Sequence, residues 1–272
     1  MCELLAMSSL QPARLTFSLK TLAAHAAADG RNPDGWGAAF YQDRDVALFR
    51  EPSAAGDSPL VRHLETQGPN TTFAISHIRR ATRGEVCLAN TQPFARELAG
   101  RTHVFAHNGD LPGIERNESL AFDRYRPVGT TDSEHAFCAL LERMQGLWGS
   151  SSLLPPLASR IAVVAQFATD LRRLGPANFL YTDGDTLFAH GHRRIQANGQ
   201  IVPPGLFLLS RRCAHAGEAV HATGVSVAAG FQEVLLIASV ALSDEAWRPF
   251  AEGELVAVSA GRLVGTAASV QS

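Results

Sequence analysis

The sequence contains almost no lysine, no large net charge of either sign and no long apolar run. Lys20 is the only lysine among 24 lysine and arginine residues, so a Schiff-base mechanism would have to use this one side chain. The formal net charge of -2 excludes the basic field of a nucleic-acid-binding protein. No apolar run approaches the roughly 18 residues of a membrane span, and no secretory signal pattern begins the sequence. We therefore expect a small polar ligand, with neither nucleic acid nor membrane as a partner.

Cysteine is also scarce and irregularly spaced. The four cysteines are Cys2, Cys87, Cys138 and Cys213, with no C-x-x-C pair among them. This spacing favours neither a zinc ribbon nor a disulfide framework, and it is typical of free thiols in a reducing cytoplasm. The apolar share of 46% allows a large core, and we expect a single domain over residues 1–272.

The order of predicted elements indicates an α+β fold, because strands precede and follow a helical region instead of alternating with helices. A helix is predicted in SLKTLAAHAAA, a second from Asp132 to about Gln145 with Thr131 or Asp132 as N-cap, and a third from Arg160 to Leu174. The predicted strands are CELLAMSS, WGAAFYQ, VALFR, TTFAISHI, THVFAH, ANFLYTD, DTLFAHG, GLFLLS, EVLLIAS and ELVAVSAGRLVG.

Cys2 directly follows the initiator methionine, and this position has a chemical consequence. Removal of Met1 would leave a thiol and an α-amine on one residue. The reference pKa of an α-amine is about 7.7 to 8.0 and that of a thiol about 8.5, so the amine can accept the thiol proton near neutral pH. Taken alone, Met-Cys is better explained by a small apolar residue buried in an edge strand.

Three further segments carry suitable side chains. SHIRRATRGEV places Arg79 after a predicted strand, and its planar guanidinium suits a carboxylate. FAHNGDL offers the amide of Asn108 and the unshielded backbone N–H of Gly109, two donors that suit an oxyanion. GTTDSEHAF places Asp132 at the start of a helix, where its carboxylate can hold an ammonium group.

These motifs, in this order, resemble those of the class II glutamine amidotransferases. The run MCELLAMS, NPDGWGAAFY, HIRRATRGEV, NTQPF, AHNGDL and RPVGTTDSEHAF is similar to their stand-alone YafJ-type branch. The recognisable motifs extend from Cys2 to about Phe137, and the later strands agree with that branch. The resemblance implies a four-layer αββα sandwich of the N-terminal-nucleophile hydrolase type.

The resemblance also implies a role for each motif residue and a reaction that needs neither a cofactor nor a metal. The implied catalytic residues are the nucleophile Cys2 and the oxyanion-hole residues Asn108 and Gly109. The implied substrate-binding residues are Arg79, assisted by Thr82, for the α-carboxylate and Asp132 for the α-ammonium group.

The chain departs from the family pattern at Arg80 and Arg83, where these enzymes often have Trp and His. The extra positive charge would suit a γ-glutamyl peptide with a second carboxylate, although solvated surface arginines explain it as well. His77, His103 and His107 are a weaker alternative as metal ligands, because no carboxylate or cysteine lies at ligand spacing. The pair His190 and His192 is predicted to be exposed.

The sequence therefore predicts a glutaminase or γ-glutamyl amide hydrolase that releases glutamate and ammonia or an amine. The glutaminase unit occupies essentially the whole sequence, so either ammonia passes to a separate acceptor protein or the enzyme is a γ-glutamyl amidohydrolase. The alternative from another class is a catalytically silent module that binds glutamine or a γ-glutamyl compound and acts with a partner protein. Loss of Cys2 or of the oxyanion donors would indicate such a module, and all are present.

Overall fold

The computed structural model describes residues 2–15, 22, 24, 34–81, 84–148, 153–196, 198–213, 220–222, 225–227 and 231–267. Three α-helices lie in this part of the chain, and they are α1 (Pro59–Gln67), α2 (Asp132–Trp148) and α3 (Leu157–Arg172). The strands there are β1 (Glu3–Leu15), β2 (Gly35–Gln42), β3 (Asp45–Glu51), β4 (Thr71–Arg79), β5 (Phe94–Leu98), β6 (Arg101–Gly109), β7 (Ala177–Thr182), β8 (Leu187–Gly191), β9 (Arg194–Ile195), β10 (Ile201–Val202), β11 (Phe207–Cys213), β12 (Val220–Ala222), β13 (Val225–Val227), β14 (Gln232–Ala238), β15 (Arg248–Pro249), β16 (Glu254–Ser259) and β17 (Arg262–Ala267).

These strands form two large antiparallel sheets and one small hairpin. The first sheet has the order β15-β11-β14-β1-β4-β2-β3, with β13 on β1 and β12 on β13. The second has the order β17-β16-β8-β7-β6-β5, and β9 pairs with β10 alone. Strand β1, which directly follows Cys2, therefore lies in the interior of the first sheet, and β6 lies one strand from the edge of the second.

The two sheets pack face to face and each carries helices on its outer side. Alternate side chains of β1 point to opposite faces of the first sheet. Leu4 and Ala6 face the second sheet, whereas Leu5 and Met7 belong to the outer core that includes α1. On the other outer side, α2 and α3 pack on the second sheet through Phe137 and Phe167. The predicted four-layer αββα sandwich is thereby confirmed.

Several predicted elements are confirmed and some were missed. The strands of both sheets that carry the motifs and the helices α2 and α3 were predicted, although α3 begins at Leu157 instead of Arg160. The helix α1 and the edge strand β5 were not predicted. The helix predicted in SLKTLAAHAAA falls outside the described residues, apart from Leu22 and Ala24. In the part of the chain that is described, no helix has the length and apolar character needed to cross a membrane.

Candidate active site

Cys2 directly precedes β1, one step beyond the ladder pair formed by Glu3 and Ile78. Its half-buried thiol contacts the backbone of Arg80, which follows the last residue of β4. The Arg80 N–H donates to Cys2 Sγ over 3.1 Å, and the thiol donates to the Arg80 carbonyl oxygen over 3.3 Å. The neighbouring strand β4 thus fixes the position of the candidate nucleophile.

The surroundings of the thiol favour its neutral form. Burial raises the pKa of the Cys2 thiol, and the nearby Glu3 carboxylate acts in the same direction. The hydrogen bond from Arg80 and the positive charge of Arg79 oppose this increase in pKa. A thiol that is mainly protonated at neutral pH needs a base in order to react as a thiolate.

Asn108 and Gly109 end β6 in the second sheet, and Asn108 reaches across to the first sheet. Its Nδ2 donates to the carbonyl oxygen of Cys2 over 2.6 Å. An amide group carries two N–H donors, so one is used in this bond and one is left for another acceptor. The fold therefore brings the predicted oxyanion donor next to the predicted nucleophile, although the two lie 106 positions apart in the chain.

Gly109 is constrained by a close approach of the backbone that follows α3. A Cβ atom built on Gly109 would lie 1.8 Å from the carbonyl oxygen of Pro176 and 2.8 Å from Nε2 of His107. Contacts under 3.0 Å essentially do not occur for real Cβ atoms, so a side chain at this position would displace the backbone. Glycine keeps the exposed end of β6 in its present place.

Arg79 is the last residue of β4 and is buried, with 3% of its surface exposed. Its Nη2 donates to the carbonyl oxygen of Gly84 over 3.3 Å, and its charge acts on the Cys2 thiol. Asp34 holds this segment from the side, because it accepts the Ala81 N–H over 2.7 Å and donates its own N–H to the Arg79 carbonyl oxygen over 2.9 Å. Thr82 and Arg83 lie outside the described residues.

Asp132 is the first residue of α2, and its carboxylate points back toward the end of β6. Oδ2 accepts the N–H of Leu111 over 2.8 Å, and Oδ1 accepts the N–H of Ser133 over 2.9 Å. Thr131 caps the helix instead, since its hydroxyl accepts the Glu134 N–H over 3.2 Å. Asp132 thus lies beside the end of β6, where its charge also acts on His107.

Comparison with known proteins identifies the family. A family model described as class II glutamine amidotransferases matches residues 1–272. The Escherichia coli (strain K12) protein YafJ is 38% identical over 190 residues, which cover 70% of this chain and 72% of that protein. The chain belongs to the class II glutamine amidotransferase family.

Solved structures agree with this assignment. The crystal structure of a predicted glutamine amidotransferase from Pseudomonas aeruginosa PA01 is 29% identical, has a TM-score of 0.67, and is matched over 97% of this chain and 100% of that chain. Glutamine phosphoribosylpyrophosphate amidotransferase from B. subtilis is 15% identical with a TM-score of 0.59, and the match covers 99% of this chain and 50% of that one. The second likeness concerns the fold alone.

Two supporting residues of this class II glutamine amidotransferase were not singled out from the sequence. Gln92 accepts the N–H of His107 over 2.6 Å and donates to its carbonyl oxygen over 3.1 Å. Ser133 lies 2.9 Å from Nδ1 of His107, which ties the end of β6 to the start of α2. Gln92 lies in the motif segment NTQPF and Ser133 in GTTDSEHAF, and this membership is the sequence feature that could have identified them as site residues.

Three of the histidines considered above, His77, His103 and His190, are buried and uncharged. Burial lowers the pKa of His77, His103 and His190 to about 3, so each is neutral at physiological pH. The prediction that His190 and His192 are exposed was wrong, since they are 0% and 7% exposed in the second sheet and directly after it. Among the described residues, no group of three or more His, Cys, Asp or Glu side chains is arranged to hold a metal ion.

Proposed function

We propose that this amidotransferase cleaves the γ-amide bond of glutamine or of another γ-glutamyl compound, with residues 1–272 acting as one domain. Removal of Met1 would make Cys2 the N-terminal residue, so that thiol and α-amine act together. The observation that supports this most directly is the 2.6 Å bond between Asn108 Nδ2 and the carbonyl oxygen of Cys2. It joins a nucleophile and a candidate oxyanion donor from different sheets.

In the first step, the Cys2 sulfur forms a bond to the γ-carbonyl carbon, and the α-amine accepts the thiol proton. The electrons of the carbonyl π bond move to oxygen. The second N–H of Asn108 and the backbone N–H of Gly109 stabilise this oxyanion. The α-ammonium then donates its proton to the leaving nitrogen as the C–N bond breaks, which leaves a γ-glutamyl thioester.

In the second step, a water molecule takes the place of the ammonia or amine that has left and hydrolyses the thioester. The α-amine accepts a proton from water as the water oxygen attacks the thioester carbon, and the same oxyanion donors act again. The C–S bond breaks, sulfur recovers a proton, and glutamate leaves. Sulfur, amine and donors supply the nucleophile, the base and the charge stabilisation, so this scheme uses neither a cofactor nor a metal.

Substrate recognition is assigned to three motif residues. The guanidinium of Arg79 suits the α-carboxylate, with Thr82 assisting it. Asp132 suits the α-ammonium group, since each of its oxygens accepts one backbone N–H and a carboxylate has about four acceptor positions in total. A free amino-acid head group would thus distinguish γ-glutamyl compounds from other amides.

The leaving group distinguishes two classes of substrate. Arg80 and Arg83 would favour a γ-glutamyl peptide that carries a second carboxylate, whereas a separate acceptor protein would consume ammonia from glutamine. A screen of purified enzyme with glutamine and γ-glutamyl peptides, measured as glutamate release, decides between these substrate classes.

Covalent trapping tests the nucleophile itself. An electrophilic glutamine analogue should add one mass equivalent to the wild-type protein and none to Cys2→Ala. Cys87→Ala is the matched control, because Cys87 is also a half-buried cysteine and should leave labelling unchanged. Binding of glutamine without labelling or glutamate release would favour the catalytically silent binding module and overturn the proposal.

A further inference from the structure

Glu3, the residue that follows the candidate nucleophile, is a buried carboxylate with only 2% of its surface exposed. A carboxylate in such a position requires charged or hydrogen-bonding partners, because burial of an unpaired charge is very unfavourable. Its partners come from a distant part of the chain. Oε1 accepts a bond from Nη2 of Arg194 over 2.9 Å, and Oε2 accepts the hydroxyl of Ser239.

Arg194 and Ser239 also contact each other, and Ser239 binds the next residue of β1. Nη1 of Arg194 donates to the Ser239 carbonyl oxygen. The N–H of Leu4 donates to Ser239 Oγ over 2.9 Å, and the N–H of Ser239 donates to the Leu4 carbonyl oxygen over 3.0 Å. The first residues of β1 are therefore attached to β9 by the ion pair and to Ser239, directly after β14, by side-chain and backbone hydrogen bonds.

A second set of hydrogen bonds connects the backbone beside Arg194 to β6, the strand that ends in Asn108 and Gly109. Asn178, which is paired with Asn108 in the β6–β7 ladder, is 1% exposed. Its Nδ2 donates to the Arg193 carbonyl oxygen over 2.8 Å and to the Asn108 carbonyl oxygen over 3.1 Å. Gly205 makes room for this side chain, since a Cβ there would lie 1.7 Å from Asn178 Oδ1.

The contacts close into a ring. From Cys2 the ring passes through the peptide bond to Glu3, through the ion pair to Arg194, through the backbone to Arg193, through Asn178 to Asn108, and through Asn108 Nδ2 back to the carbonyl oxygen of Cys2. It contains both the nucleophile and the oxyanion donor of the proposed reaction.

We propose that Arg194 and Asn178 are positioning residues, which set the distance between the Cys2 thiol and the Asn108 donor through this ring. The inference rests on the proposed function. Neither residue needs to touch the substrate, so their loss should affect the chemical step and leave the recognition of the amino-acid head group by Arg79 and Asp132 intact. A misplacement of about 1 Å at a reacting group can lower the rate about 10²-fold.

The first experiment replaces Arg194 with Met, which keeps the length of the side chain and removes its charge. We expect kcat for glutamate release to fall by about 10-fold to 100-fold while KM changes by less than about threefold. Glu3→Gln should lower kcat as well. The double variant Glu3→Gln/Arg194→Met should lose no more than the worse single variant, because both changes break one contact.

A second readout does not depend on turnover. Alkylation of the half-buried Cys2 thiol by iodoacetamide should become faster in Arg194→Met, toward the rate of the unfolded chain, even though enzymatic turnover falls. A wild-type protein that releases no glutamate would contradict the proposed function. The alkylation rates would still show, independently of turnover, whether the ring positions the Cys2 thiol.

Arg160→Met is the matched control for the loss of a buried arginine. Arg160 is 3% exposed and binds Asp183 and Asp185 over 2.8 and 3.0 Å. Asp183 lies five residues beyond Asn178, which is about 16 Å along an extended strand. This variant should lower the melting temperature yet leave kcat and Cys2 alkylation unchanged.

Two outcomes overturn the proposal. One is a folded Arg194→Met protein with wild-type kcat and alkylation rate, and the other is additive kcat losses for Glu3→Gln and Arg194→Met. If Arg194→Met does not fold, Asn178→Ala opens the ring at its other side. A folded Asn178→Ala protein with wild-type kcat and alkylation rate contradicts the inference equally.

Discussion

Replacing Gly109 with alanine tests whether the end of β6 works as a rigid oxyanion site. The added Cβ would lie 1.8 Å from the Pro176 carbonyl oxygen, whereas real Cβ contacts keep at least 3.0 Å. The two segments must therefore separate by about 1.2 Å, a distance set by these two values. Because the position of a Cβ is fixed by its own backbone and the Pro176 oxygen is a backbone atom, no side-chain rotation relieves the contact.

A displacement of this size acts on the reaction in a defined way. It moves the Gly109 N–H, and with it Asn108, away from the position that the oxyanion would occupy. We expect kcat to fall about 10²-fold or more, since a 1 Å misplacement already has that effect. Recognition of the substrate head group is assigned to other residues, so KM should change much less.

The assay measures glutamate release and thermal unfolding on the same preparation. Gly146→Ala is the control, because Gly146 lies in α2 and its added Cβ would have open space around it beyond its chain neighbours and the backbone of its own helix. That variant should gain about 0.5 to 1 kcal/mol of stability and keep wild-type kcat. A folded Gly109→Ala enzyme with kcat within threefold of wild type would refute the reasoning.

Four further outcomes are expected. Intact mass should show that active protein lacks Met1, because an acylated Cys2 nitrogen has no useful basicity. Asn108→Ala should lower kcat by about 10² to 10³ with a smaller change in KM, since the donor acts on charge that develops in the transition state. Arg79→Ala should lower kcat/KM by about 30-fold to several thousandfold, and Arg79→Lys should recover little because an ammonium lacks the planar fork. Ser58→Ala should lower the free energy of unfolding by about 1 kcal/mol without affecting kcat, since its hydroxyl caps α1 through the Val61 N–H over 3.2 Å.

Each of these has a result that contradicts it. Full activity with Met1 retained would remove the α-amine from the mechanism. An Asn108→Ala effect confined to KM would mean that Asn108 binds the ground-state substrate. Arg79→Ala should also lose little further activity on an α-carboxamide analogue, and full additivity would direct attention to Arg80 or Arg83. A change of kcat in Ser58→Ala would mean that the stability of α1 affects the geometry of the candidate active site.

The sequence predicted those parts of the fold in which local pattern and environment agree. Strands β4 and β6 are apolar runs that end in polar motif residues, and β1 is an apolar run that directly follows Cys2. The burial of these three strands between the layers matches that pattern. Helix α1 was missed even though Ser58 and Pro59 are a regular start signal, because the segment after them is short and polar.

Other misses have separate physical causes. The hairpin from β5 to β6 turns at Ala99 and Gly100, both with positive φ, and alanine is a poor signal for such a turn. His190 and His192 were predicted to be exposed because polar residues often mark the outer face of a strand. In this fold the second sheet is covered by the first sheet on one side and by helices on the other, so neither face of β8 is exposed.

The candidate site was predictable to the extent that its residues lie in contiguous motifs. Cys2, Arg79, Asn108, Gly109 and Asp132 are all placed by elements that the sequence indicated. The contact between Glu3 and Arg194 spans 191 positions, and no local pattern relates the two. Such pairs become visible only when the strand order is known.

The attachment of Leu4 to Ser239 has a consequence for the dynamics of the chain terminus. The ends of a polypeptide ordinarily fray, and their amide hydrogens exchange with solvent quickly. Here the Leu4 N–H is bonded to a buried hydroxyl, and Leu4 itself has no exposed surface. Its amide hydrogen should exchange only when the sheet opens, as slowly as amides at the centre of β1. An aminopeptidase that carried out the proposed removal of Met1 would then meet a chain that is already fixed in the sheet at Leu4.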